Sequence, residues 1–279
     1  MKPNEPSRTA LNVARQRAAH QVLDRGSILY DPFAMKILGE DEKDVLQLAN
    51  AHPAASIGRL FTTTRSRIAE DALSRAVEKG VRQIVILGAG LDTFALRNPH
   101  PAQPIRIYEV DHPETQAWKC QRLAEAQIAL PPWLTLVPVD FEREDVGEKL
   151  SDAGFQQNSP AFFTWLGVVP YLTQEAIDRT LDYVSSIQNS EVVFDYAEPP
   201  EAFSEDLRQL EKARAEQLEK IGERSESRFE PAGIATLLRS HGFCDIEDIS
   251  FREIRSRFGR AVQGLAPGEA GLHVVHTRH

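Results

Sequence analysis

Cysteine is nearly absent: Cys120 and Cys244 are the only two in 279 residues. Two thiols cannot build a disulfide framework or a Cys-rich structural zinc site, which points to a reducing compartment. An excess of basic charge is missing as well. Lys and Arg number 32 against 41 Asp and Glu, for a formal net charge of -9. Nucleic-acid and anionic-membrane binders draw on clustered Lys and Arg, so neither partner is expected. No apolar run approaches the ~20 residues of a membrane span. Met1 to Arg25 is polar and Arg-bearing, without the apolar core of about 7–15 residues that marks a secretory leader. A cytoplasmic location is the expectation. Short catalytic signatures are missing too. There is no His-Glu-x-x-His, no Gly-x-Ser-x-Gly turn and no phosphate loop ending Gly-Lys-Ser/Thr. The eight His are scattered without metal-ligand spacing, so no metal site is expected. What remains is a chain with 42% apolar and 26% charged residues, the composition of an ordinary globular protein.

The chain has no internal repeat, and its pattern changes at Gly80. Before it, good helix formers predict helices over Ala10–Leu23 and Thr62–Lys79, with a third started by Asp31-Pro32 and containing Phe33, Ile37 and Leu38. After it, short β-branched runs predict strands at Gln83–Leu87, Ile105–Val110, Leu134–Val139, Ala161–Leu166 and Val192–Tyr196. Helical stretches over Glu114–Ala129, Glu142–Ala153 and Gln174–Ile187 lie between them. Strands alternating with helices argue for a mostly parallel sheet covered on both faces. Pro199-Pro200 ends the fifth strand. Glu201–Glu226 then reads as a charged helix with Leu207, Leu210, Leu218 and Ile221 on one face. It is either a solvated helix or a lid at a strand's carboxyl end, where open α/β sheets bind ligands. The tail gives a helix from Glu230 to His241 and strands near Ile246–Phe251 and Gly271–Thr277. His273, His276 and His279 read as part of a frayed end.

The strongest local signal is the strand that runs into Gly88-Ala89-Gly90. Glycine permits the tight turn and lets a ligand reach the backbone. The next strand delivers Glu109 and Asp111 roughly 20 residues later, where an acid accepts hydrogen bonds from ribose hydroxyls. Glu109, at the strand end, is the better geometric candidate. Asp111-His-Pro-Glu114 also has the form of a capping box. A glycine turn plus a strand-end acid describes a site for an adenosine-containing cofactor. The dinucleotide fingerprint needs a third small residue, and here that position is Thr93. A diphosphate also disfavours negative charge at the turn, and Asp92 lies in it. S-adenosylmethionine, with its sulfonium and ammonium groups, suits the loop better. Asp140, at the end of the third strand, can accept from an adenine amino group with Phe141 packed on the ring, or it can cap the following helix.

The chain resembles the leucine carboxyl methyltransferase-like family of class I S-adenosylmethionine-dependent methyltransferases. The resemblance rests on Ser7-Arg-Thr-Ala10 with Arg17-Ala18, Tyr30-Asp-Pro-Phe-Ala34, Thr64-Arg-Ser-Arg67 with Glu70-Asp71, Leu87-Gly-Ala-Gly-Leu-Asp-Thr93, Tyr108-Glu-Val-Asp-His-Pro113, Val139-Asp-Phe141 and Trp165-Leu-Gly-Val-Val-Pro-Tyr-Leu-Thr173. These segments occur in family order and cover nearly the whole chain. The resemblance implies that Arg65 holds the methionine carboxylate, with Arg17 of the N-terminal cap assisting; Arg15 is nearly as well placed. It implies Gly88 to Gly90 under the methionine moiety, Asp111 on the ribose side, and Asp140 with Phe141 at the adenine. Trp165 and Tyr171 either line the site or pack the core of the fourth strand. The carboxyl methyltransferases proper place a Glu before Gly-Val-x-x-Tyr-Leu. Leu166 stands there in this chain, so the protein-phosphatase substrate does not carry over.

The expectation is a single α/β domain: a helical cap over residues 1–80, a Rossmann-like cofactor core over 81–198, a helical insertion over 199–228 and a tail over 229–279. The resemblance adds seven strands, the last antiparallel. The expected reaction is methyl transfer from S-adenosylmethionine to an oxygen, carboxylate or hydroxyl, of a small-molecule acceptor. A hydroxyl needs a base, and Tyr171 and Glu198 are the reachable ones. A protein C-terminal carboxylate acceptor, a nicotinamide-dependent oxidoreductase and a non-catalytic cofactor-binding protein are the alternatives. Monomer and homodimer both stay open.

Overall fold

A computed structural model describes residues 8–52, 54–141, 143–220 and 226–279. Four helices precede the sheet: α1 (Arg8–Leu23), α2 (Ala34–Leu38), α3 (Glu42–Ala49) and α4 (Ala55–Glu78). The core alternates β1 (Gln83–Leu87), α5 (Phe94–Arg97), β2 (Arg106–Asp111), α6 (Pro113–Glu125), β3 (Leu134–Pro138), α7 (Val146–Asp152), β4 (Ala161–Trp165), α8 (Gln174–Ser185) and β5 (Glu191–Ala197). Then come α9 (Glu205–Lys220), α10 (Pro231–Ser240), β6 (Asp245–Ser250), α11 (Phe251–Phe258) and β7 (Leu272–Arg278).

The strands form one sheet of seven in the order β3-β2-β1-β4-β5-β7-β6. All neighbours among β1 to β5 run parallel, and β7 runs antiparallel to both β5 and β6. The apolar runs behave as their composition requires. Every residue of β1, β4 and β5 is buried, because helices cover both faces. One face packs Leu73, Ile84, Ile86, Phe162 and Val193 against α4. The other packs Val85, Phe163, Trp165, Phe194 and Phe243. Each such side chain taken out of water contributes about 1.5–3 kcal/mol.

Several boundaries differ from the sequence reading for identifiable reasons. α4 begins at Ala55, ahead of the expected Thr62, because Ile57, Leu60 and Phe61 are buried and override Gly58. Asp31 does not cap a helix. Its buried carboxylate accepts from the Phe33 N–H (3.1 Å) and the Thr93 hydroxyl (2.6 Å), and the helix starts at Ala34. α7 starts at Val146, capped by Asp145, whose carboxylate accepts from the Glu148 N–H (2.8 Å); Glu142 lies outside the described residues. The expected strand to Phe251 stops at Ser250. A reciprocal capping box between Ser250 and Glu253 starts α11 there. The C-terminal histidines are not a frayed end. β7 sits between two strands, so His273 and His276 are buried and held by carboxylates.

The insertion after β5 is helical over α9, and residues 221–225, including Ile221, lie outside the described residues. Leu207 is buried and Leu210 half-buried, both in the cluster of Phe203, Ile254 and Ala270. The Leu218 side chain likewise lies outside the described part of the structure.

Candidate cofactor and acceptor site

A cavity of about 810 Å³ opens at the carboxyl ends of β1, β2, β3 and β4, lined there by Leu87, Asp111, Val139 and Thr164. β1 is flanked by β2 on one side and β4 on the other, so the chain reverses its winding at this point. Open α/β sheets bind ligands at such a switch point.

The glycine turn forms its floor. Gly88 has φ +65° and Gly90 φ +49°, both left-handed. The Gly88 and Ala89 N–H groups donate to the Val110 carbonyl (2.8 and 3.1 Å). A Cβ on Gly88 would come within 2.3 Å of Val168, and one on Gly90 within 3.2 Å of Ala10. Glycine therefore lets the loop after β4 and helix α1 close on the turn.

Asp111 closes the ring of contacts at the end of β2. One of its oxygens accepts from the Gly90 N–H and the other from the His112 N–H (2.6 Å). Burial raises its pKa, only partly offset by those two N–H donors. It is not the helix cap; the His112 ring takes that role, accepting from the Glu114 N–H (3.3 Å). Asp140 and Phe141 line the cavity at the end of β3. The Asp140 N–H donates to Glu144 (2.9 Å), and its carboxylate lies 3.6 Å from Arg143.

Two arginines reach the cavity from the cap helices. Arg65 is buried on α4 and donates through Nη1 to Asp195 (2.9 Å). Arg17 lines the cavity, but it donates to the Leu91 carbonyl, lies 3.9 Å from Asp92 and 3.4 Å from Asp31. It pins the glycine loop to α1, and its Nε is buried without a hydrogen-bond partner among the described residues. Arg15 is elsewhere, paired with Glu40 at 2.5 Å. Burial pushes the Asp92 carboxyl up, but Arg17 and Arg97 outweigh it and hold the group below its ordinary value. An ionised carboxylate in this turn opposes a diphosphate. α5, only four residues long, offers a weak anion site beside it. Thr93, at the fingerprint's third position, is fully buried with its hydroxyl on Asp31.

Three expected site residues lie elsewhere. Glu109 is not in the cavity lining. It is buried in an ion pair with Lys119 of α6 at 2.5 Å, and burial raises its pKa despite that partner. Glu109 and Asp111 share a strand face, but α6 covers the first and the strand ends at the second. Trp165 packs in the core with its ring 6.1 Å from Phe194. The pleat puts its neighbours Thr164 and Leu166 on the cavity side instead. Glu198 accepts from His273 Nε2 (3.0 Å), and its backbone carbonyl accepts from Arg228 (2.9 Å); it too is absent from the lining. Tyr171 does line the cavity, on a single 3₁₀ turn over Val169–Tyr171.

The far rim comes from the end of the insertion. Glu226 lines the cavity, and its N–H donates to the Pro170 carbonyl (2.8 Å). The Ser227 hydroxyl donates to the Leu172 carbonyl (2.5 Å). The return segment is thereby hooked onto the loop after β4. No described residue of α9 itself lines the cavity.

The family model for leucine carboxyl methyltransferase matches residues 10–185. A Bacillus subtilis (strain 168) protein, YktD, provisionally named an S-adenosyl-L-methionine-dependent methyltransferase, is 30% identical over 304 residues and covers 99% of both chains. A Mycolicibacterium smegmatis protein with the same provisional name is 28% identical, over 97% of this chain and 90% of its own. Among solved structures, a Bordetella parapertussis protein described as a possible exported protein superposes with a TM-score of 0.53 at 16% identity, over 96% of this chain and 94% of its own. The CurJ carbon methyltransferase superposes with a TM-score of 0.53 at 15% identity, over 94% of this chain and 67% of its own. The structural likenesses speak to fold alone. The match to the family model over more than half of the sequence, with a relative aligned end to end, shows that this chain belongs to the leucine carboxyl methyltransferase family.

Proposed function

We propose that this enzyme transfers the methyl group of S-adenosylmethionine to an oxygen, carboxylate or hydroxyl, of a small-molecule acceptor. The convergence of Arg65, the Gly88–Gly90 turn and Asp111 on one cavity carries the reading. The residues fit that cofactor: a Cβ-free turn, an ionised Asp92 where a diphosphate would lie, a guanidinium for a carboxylate and acids at two strand ends. Arg65 holds the methionine carboxylate, Asp111 accepts from the ribose hydroxyls, and Asp140 accepts from the adenine amino group with Phe141 against the ring. Bound S-adenosylmethionine supplies an already activated sulfonium methyl. The protein's task is alignment, which can reach effective molarities of roughly 10⁵–10⁸ M.

A small acceptor is favoured by the hook of Glu226 and Ser227 onto the loop after β4, which holds the end of the charged insertion at the rim of the cavity. A carboxylate acceptor needs no base. With Glu198 engaged by His273, Tyr171 is the one of the two expected bases that lines the cavity. A pH–rate profile of the chemical step separates the two acceptors. A carboxylate, with a reference pKa near about 4, gives a flat profile from about pH 6 to 9. A hydroxyl activated by a base gives a rise through that base's pKa. Glu198→Gln should leave either profile unchanged, whereas Tyr171→Phe should abolish a rise. Products methylated only on nitrogen or carbon, or turnover on a protein tail with none on small molecules, would contradict the reading.

A further inference from the structure

Asp195 lies within β5, only 3% exposed, and has no place in the cavity lining. It nevertheless touches two parts of the site. One carboxylate oxygen accepts from Arg65 Nη1 (2.9 Å), and the other accepts from the Gly167 N–H (2.5 Å). Gly167 has φ +75°, and a Cβ there would stand 2.6 Å from Arg65 Nη2. The guanidinium carbon lies over the Phe61 ring, 5.8 Å from its centre. The long Arg side chain is thus fixed by a carboxylate, a glycine and an aromatic face. Its Nη1 is occupied, while the residue as a whole still borders the cavity.

A carboxylate in this place does two opposing things to an anionic ligand of Arg65. It offsets part of the cation's charge, which weakens binding. It also holds the planar fork in one orientation before the ligand arrives, which strengthens binding by removing the ordering cost. We propose that the second effect dominates, and that Asp195 is a positioning residue. It aims the free edge of Arg65 at the carboxylate of the cofactor's methionine moiety and ties the Leu166–Thr173 loop to the same anchor through Gly167. The proposal rests on the reading of Arg65 as the carboxylate clamp.

Calorimetric titration of the full chain with S-adenosylhomocysteine and with 5′-methylthioadenosine, which lacks the methionine carboxylate, tests it. Asp195→Asn keeps one acceptor oxygen but cannot serve both partners as an anion. Its affinity for S-adenosylhomocysteine should fall roughly tenfold, the size of one charge-assisted hydrogen bond, with methylthioadenosine changed less than about twofold. Gly167→Ala should give the same ligand-selective loss by pressing on Nη2, with Asp195 intact; it keeps the test open if Asp195→Asn folds poorly. Equal losses for both ligands would overturn the proposal and make Asp195 a fold residue. Unchanged or tighter S-adenosylhomocysteine binding would overturn it in favour of a charge counterweight. Wild-type protein that binds methylthioadenosine as tightly as S-adenosylhomocysteine would defeat the Arg65 reading itself, a failure visible before any variant is made.

Discussion

Arg65→Ala should lower affinity for S-adenosylhomocysteine by about 1.5–3 kcal/mol, roughly tenfold to 150-fold, the scale of a lost charge-assisted pair. Binding of 5′-methylthioadenosine should barely change. The same substitution should also cost stability, because it strips a buried carboxylate of its cation. Among the described residues Asp195 would keep only the Gly167 N–H, and removing one partner of a buried ion pair costs about 3–5 kcal/mol. The two effects separate by design. A double Arg65→Met and Asp195→Leu variant replaces the pair with apolar side chains, so most of the stability should return. Its affinity for the carboxylate-bearing ligand should not. Arg65→Lys should recover part of that affinity, since an ammonium lacks the planar fork. Chemical denaturation beside titration calorimetry checks both halves. A double variant that regains affinity along with stability would show that Arg65 acts through the fold.

The second large effect concerns the acid that strand geometry favoured. Lys119→Met should destabilise the fold by about 3–5 kcal/mol at neutral pH, since it leaves Glu109 buried without its cation. The pH dependence follows from the direction of the Glu109 shift. Burial raises its folded-state pKa above the unfolded value, so the folded chain holds this proton more tightly than the unfolded chain does. That contribution is fully present below the unfolded pKa of about 4 and is lost as pH rises through the folded value. Removing Lys119 raises the folded value further. The deficit of Lys119→Met should therefore widen as pH rises above the ordinary carboxylate range, as read by denaturant midpoints. Glu109→Gln should leave S-adenosylhomocysteine affinity within about twofold, whereas Asp111→Asn should weaken it by the roughly 1.5–3 kcal/mol of a hydrogen bond to a charged group. A larger loss from Glu109→Gln than from Asp111→Asn would reverse the assignment of the strand-end acid.

Why Asp111 and not Glu109 borders the cavity shows where the sequence stops being readable. Both lie on one face of β2, so alternation alone cannot choose. The choice is made by α6, which lays Gln116 and Lys119 over Glu109 and leaves the last strand residue open. The resemblance named Asp111 because it compares positions rather than geometry. For Trp165 the pleat decides once a neighbour is placed: Thr164 and Leu166 line the cavity, so the residue between them faces the core. The start of α11 was likewise written in Ser250-x-x-Glu253, a capping box hidden behind a strand-like run. The apolar runs of β1 to β5 and the glycine turn were legible because a doubly covered parallel strand needs continuous β-branched residues. Asp31, Asp195 and Lys119 were not. Asp31 and Asp195 are charges buried among partners distant in sequence, Thr93 and Arg65, and Lys119 meets Glu109 only once α6 folds back over β2.

Cofactor binding by the intact chain tests the central claim most directly. With S-adenosylhomocysteine at a hundredfold excess over its dissociation constant, thermal unfolding should move upward by the equivalent of about 2.7 kcal/mol, and NAD at the same concentration should produce no shift. A shift with NAD and none with millimolar S-adenosylhomocysteine would contradict the account.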